Sequence, residues 1–162
     1  MKLAKAIKKA KRVYLCGNGG SAANAIHMAN DLVACGVKAY ALTGDIATIT
    51  ATANDISYGA AFAVQLKVYA EPGDLVLALS GSGNSPNILQ ALQVAKDRGA
   101  EAWAIVGAYQ DTAAEHIADH CMKWGKDMQY AEEKQLYLGH KAMRWLKSSC
   151  SLGSRRSTAR TL

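Results

Sequence analysis

The sequence predicts an α/β fold, a three-layer αβα sandwich around a parallel sheet of about five strands. Short apolar runs at residues 13–16 and 75–79 each pass into a turn rich in glycine or serine and then into a helix. Strand-like and helix-like segments alternate from there to near residue 146, which implies a parallel sheet covered on both faces. A chain of 162 residues suffices for one domain with a single sizeable core.

Residues 2–12 carry Leu3, Ala6, Ile7 and Ala10 at helical spacing among lysines, an amphipathic helix. Val13, Tyr14, Leu15 and Cys16 make the first strand, Gly17, Asn18, Gly19 and Gly20 the turn, and a helix opens at Ser21 and runs to about Ala34. Cys35 and Gly36 end that helix, and residues 37–42 give the second strand. Residues 43–53, small and β-branched, are expected as a short helix reached through a turn at Gly44 and Asp45. A polar break over residues 54–58 precedes a helix over 60–69.

Glu71, Pro72, Gly73 and Asp74 are a turn by composition, and the third strand follows over 75–79. Ser85 and Pro86 suit the N-cap and first position of a helix over 85–98, which Gly99 ends. Residues 101–106 give the fourth strand, 112–118 a short helix, 120–124 the fifth strand, and 130–146 a long closing helix. Residues 148–162 lack apolar periodicity and are rich in Ser, Thr and Arg. The domain is therefore set at residues 1–147, with a disordered tail after it.

Both turns suit an anion. Three glycines in four positions let the backbone approach a ligand closely, and the N–H groups there and in the next helical turn are donors. Such a turn also serves any strand-to-helix connection, so it decides little alone. The second turn, Ser80, Gly81, Ser82, Gly83, Asn84 and Ser85, offers three hydroxyls around one phosphate. No lysine follows where a nucleotide P-loop needs one, and neither turn fits the dinucleotide fingerprint, so no nucleotide cofactor is expected. A hydroxyl-rich loop without a fixed cation suits a sugar phosphate.

Taken together, Cys16 to Ser21, Asn54-Asp55 and Ser80 to Ser85 resemble a sugar isomerase (SIS) domain, collinear over roughly residues 5–147. Within that superfamily the pattern is similar to the phosphoheptose isomerases. The resemblance implies conversion of sedoheptulose 7-phosphate to D-glycero-D-manno-heptose 7-phosphate, in a homodimer or homotetramer. It places the phosphate on Ser80, Ser82 and Ser85, the sugar along Asn18, Gly19, Gly20 and Ser21, and Asp55 on its hydroxyls. Glu132 and Gln135 fall where the family contacts substrate. Relatives of this kind carry a longer N-terminal helical region that builds the tetramer.

His27 and Asp31 lie four apart, on one face of the helix that opens at Ser21. Read alone, they are sooner an ordinary surface pair than a site. In the family this helix supplies a His metal ligand and a Glu base, so the resemblance makes Asp31 the base, one methylene shorter. The family's catalytic His, eight residues beyond the Gln, is Met143 here, and the acid role passes to His140. Zinc would take His27, Asp31 and Gln135 as ligands. Cys35 stands where the family usually has Arg, and Gly81 replaces a Thr. The departures at Met143 and Cys35 keep a second possibility open, a non-catalytic sugar-phosphate sensor or protein-interaction module.

The formal charge of +6 sits mainly at the two ends, and the body between is nearly balanced. No nucleic acid is expected as partner. No apolar run approaches the roughly 20 residues of a membrane span, and no signal-peptide core follows Met1, so a cytoplasmic protein without a membrane partner is expected. Cys16, Cys35, Cys121 and Cys150 lack zinc-finger spacing.

Overall fold

The computed structural model describes residues 2–108 and 110–157. Strands β1 (Val13–Gly17), β2 (Ala39–Ala41), β3 (Leu75–Ser80), β4 (Glu101–Val106) and β5 (His120–Lys123) form one sheet in the order β2-β1-β3-β4-β5. Every neighbouring pair is parallel. Parallel strands need crossovers, and helices supply them on both faces.

Alternate residues of each strand enter different cores. Val13 and Leu15 of β1 and Leu75, Leu77 and Leu79 of β3 pack under α1 (Lys2–Lys9), α2 (Gly20–Val33) and α7 (Met128–Ser157), meeting Ile7, Met28, Leu32 and Leu146. Tyr14, Cys16, Val76 and Ala78 face the other way. There they meet Phe62, Leu66 and Leu92 beneath α4 (Ala63–Tyr69) and α5 (Pro86–Asp97), while α6 (Ala114–Ile117) adds Ala114. Helix α3 (Ile46–Asp55) begins where Asp45 accepts a hydrogen bond from the Thr48 backbone N–H at 3.0 Å. Such a cap satisfies a donor that no helical carbonyl can reach.

The expected order of elements is the observed one, with shifts at the margins. The second strand shrinks from residues 37–42 to Ala39–Ala41, because it is an edge strand paired with β1 alone. Asn54 and Asp55, expected in a polar break, are the last residues of α3. The first helix ends at Lys9 rather than near residue 12, where Arg12 turns to pair with Asp74 at 3.1 Å and with Glu71. The closing helix starts two residues early and runs to Ser157. Its backbone thus continues past the boundary expected at residue 147, through a stretch that holds no proline. A helix once nucleated propagates until something breaks it. Residues 158–162 of the expected tail lie outside the described residues. Among the described residues, no helix is long and apolar enough to cross a membrane.

Candidate active site at the sheet switch point

The chain leaves β1 toward β2 on one side and returns to β3 on the other. Loops at the carboxyl ends of β1 and β3 therefore flank the point where the strand order reverses, the usual place for a ligand in an open α/β sheet. Those are the two loops singled out by composition.

The β3–α5 loop is held from several directions. Ser80, nearly buried, accepts a hydrogen bond from the Gly83 N–H at 2.9 Å, and Ser82 accepts one from the Asn84 N–H at 3.2 Å. The Asn84 side chain donates to the Asp111 carbonyl at 2.9 Å and accepts from the Ala113 N–H at 2.7 Å. Thr112 and the Ala114 N–H both donate to the Gly83 carbonyl. Ser85 sits at the N-cap of α5, yet its hydroxyl makes no capping bond. Pro86 has no N–H and the Ile88 and Leu89 N–H groups donate to the Ser85 carbonyl, so the Ser85 hydroxyl and the Asn87 N–H are the groups of this helix start left to meet an anion.

Across the switch point, Gly19 takes a positive φ of 54°, a conformation suited to glycine. Gly20 opens α2, and a Cβ there would run into the Glu132 carboxylate of α7. The loops and α7 enclose a pocket of about 90 Å³ lined by Asn18, Ser21, Ser80, Gly81, Ser82, Ser85, Met128 and Glu132. Seven of those eight residues belong to the two loops or are Glu132; Met128 gave no sign in the sequence.

Helices α2 and α7 run side by side and in the same direction, since contacts advance along both together. The Asn24 amide donates to the Glu132 carbonyl at 2.9 Å and to Gln135 Oε1 at 3.1 Å. Further on, Met28 packs over Gly139, and the Cys35 thiol reaches the Met143 carbonyl at 3.9 Å. Between those contacts, His27 Nε2 and His140 Nε2 lie 3.0 Å apart. Asp31 Oδ2 is 3.5 Å from the first and 3.6 Å from the second. The three side chains are part-exposed, open enough to receive a ligand.

This trio offers two imidazole nitrogens and a carboxylate oxygen within 4.8 Å of one another. A donor set of that chemistry fits zinc, which takes three protein ligands when it keeps a position open. His140 stands in it beside His27 and Asp31. Gln135 is fully buried; its oxygen is engaged by Asn24, and its Nε2 meets no protein acceptor among the described residues. Asp55 is exposed at the end of α3, its carboxylate accepting from Asn54 at 2.7 Å.

Two contacts had no counterpart in the reading of the sequence. Asn87, on the first turn of α5, exchanges hydrogen bonds with Asn18, and the Tyr58 hydroxyl donates to Asn18 as well. Only the placement of Asn87 just past the serine loop hinted at its role.

Residues 1–107 match the SIS domain. The chain belongs to the SIS domain family. It is 43% identical over 114 residues to a phosphoheptose isomerase of Thiobacillus denitrificans, a match covering 67% of this chain and 58% of that protein. A phosphoheptose isomerase of Thermodesulfovibrio yellowstonii is 34% identical over 144 residues, 85% of this chain and 72% of the relative. The solved phosphoheptose isomerase of Francisella tularensis has the same fold, with a TM-score of 0.85 at 28% identity over 91% of this chain and 83% of its own. This SIS chain thus spans 58% of the length of the first of these relatives, less than two thirds.

Proposed function

We propose that this SIS domain is an aldose–ketose isomerase acting on sedoheptulose 7-phosphate. The observation that carries the reading is that one helix, α2, serves both halves of the chemistry. Ser21 at its start lines the loop pocket, and His27 and Asp31 further along meet His140. Six residues from Ser21 to His27 advance about 9 Å along the helix axis, room for an open-chain sugar between its phosphate and the reacting carbons. The phosphate would sit on Ser80, Ser82 and Ser85 and the N-terminus of α5. Asn18, Gly19, Gly20, Asp55, Glu132 and Gln135 would border the sugar. The names of the relatives support the substrate.

Isomerisation moves a proton between the carbonyl carbon's neighbour and the carbonyl carbon itself, and redistributes protons on the two oxygens. Asp31 takes the role of the base that removes the carbon-bound proton and returns it one carbon away. His140 serves the oxygens, giving a proton to the carbonyl as the enediol forms and recovering one from the neighbouring hydroxyl. His27, at hydrogen-bond distance, holds the His140 ring in place. A zinc-class cation would be held by His27, Asp31 and His140, without Gln135, whose oxygen Asn24 engages, and when bound would polarise the carbonyl as a Lewis acid in place of the proton His140 otherwise gives. A homodimer or homotetramer belongs to the same reading. The balanced charge of the body of the chain supports a reading without nucleic-acid partners.

Met143 and Cys35 favour a second reading, a sugar-phosphate sensor that keeps the pocket and lacks turnover. The deciding experiment follows aldose formation from sedoheptulose 7-phosphate, with and without added zinc. Turnover supports the isomerase. Ligand-induced thermal stabilisation without turnover supports the sensor, and neither response contradicts both.

A further inference from the structure

The Asn18 amide ties the first loop to the helix that follows the second. Its Oδ1 accepts from Asn87 Nδ2 at 2.8 Å and from the Tyr58 hydroxyl at 2.9 Å. Its Nδ2 donates to Asn87 Oδ1 at 2.9 Å. Asn87 is 2% exposed, so this reciprocal pair is shielded from competing water, whereas Tyr58 is half-exposed and approaches from the solvent side. A primary amide carries two N–H donors and an oxygen with two lone pairs. Both lone pairs of Asn18 are thus engaged and one N–H is left over. Asn18 is also a wall of the pocket that holds Ser80, Ser82 and Ser85.

We propose that Asn87 is a positioning residue, which fixes Asn18 as a hydrogen-bond donor toward the phosphate pocket, with Tyr58 securing the same amide from outside. The chemistry this selects is an oxygen acceptor on the ligand, above all an anionic phosphate oxygen, because the bound amide has a free N–H and no lone pair left to accept from a ligand donor. The same pair sets the spacing between the β1–α2 turn and the start of α5, so both loops move together or not at all. The inference rests on the proposed sugar-phosphate site and deepens it.

The test is calorimetric titration of the full chain with sedoheptulose 7-phosphate and, separately, with inorganic phosphate. Asn87→Ala should weaken binding about tenfold, the effect of losing one well-placed hydrogen bond. Asn18→Ala should do the same, and the double variant should be no weaker than Asn18→Ala alone, since Asn87 acts through Asn18. In turnover, the Asn87 variant should raise KM and leave kcat nearly unchanged. Tyr58→Phe, at an exposed site that does not threaten folding, should give a smaller loss that vanishes in the Asn18→Ala background. Losses that add would overturn the proposal, as would an Asn87→Ala chain with a lowered Tm but wild-type affinity. If the wild-type chain bound neither ligand, the proposed function would fall, and this inference with it.

Discussion

The serine loop and the α2–α7 seam, which the proposed function joins in one site, are built in opposite ways. The serine loop is a local object. Its hydroxyls come from six consecutive residues, and its backbone and the Asn84 side chain are tied to residues 107 and 111–114 by hydrogen bonds. The seam joins residues more than a hundred positions apart, and only side chains meet where His27, Asp31 and His140 converge. A preorganised loop can hold a charge without rearranging, whereas a part-exposed cluster of titratable groups can exchange protons and ligands. In the proposed function, binding therefore falls to the first region and chemistry to the second.

Substitutions should separate the two. The largest effect is expected at His140. His140→Ala should lower kcat by about a hundredfold or more, the contribution of a positioned acid–base group, while inorganic phosphate binds as before. Loss of phosphate affinity in that variant would break the division. Ser82→Ala is the reciprocal change. It should weaken phosphate binding about tenfold and leave zinc uptake, measured by metal analysis after dialysis, unchanged.

Gly20→Ala probes the edge between the regions. Its new Cβ meets the end of the flexible Glu132 side chain rather than backbone, so stability should change by less than about 1 kcal/mol. The displaced carboxylate should nonetheless lower affinity for the sugar phosphate more than for inorganic phosphate, read by parallel titrations.

The smallest effect is in the strand beneath the first loop. Burial pushes the Cys16 thiol from its ordinary value of 9.0 up to about 12. The unfolded chain therefore ionises this thiol first, and the stability tied to its neutral form is complete below pH 9.0 and is lost as pH rises toward about 12. Cys16→Ala should flatten that part of the alkaline decline in the urea midpoint. It should also leave ligand affinity at pH 7 unaltered.

The same contrast explains what the sequence made legible. Strands β1, β3 and β4 were readable because they are short apolar runs buried on both faces, and their turns carry glycine or serine in plain view. The edge strand β2 was overdrawn because tertiary pairing, not local composition, decides where an edge ends. His27 and Asp31 stood out by their four-residue spacing. Their meeting with His140 rests on the lateral packing of α2 against α7, set by Met28 against Gly139 and Asn24 against Gln135, which no local pattern encodes. Asn87 looked like one more polar residue at a helix start. Its partner lies sixty-nine positions away, so only the fold reveals the pair.

The most direct test of the whole account is Asp31→Ala, assayed for sedoheptulose 7-phosphate turnover and for binding of the same compound in one preparation. The expected result is turnover reduced by at least about a hundredfold with binding within a few-fold of wild type. Turnover that survives the substitution would remove Asp31 from the chemistry. Binding lost together with turnover would show that loop and seam are not the separate parts described above.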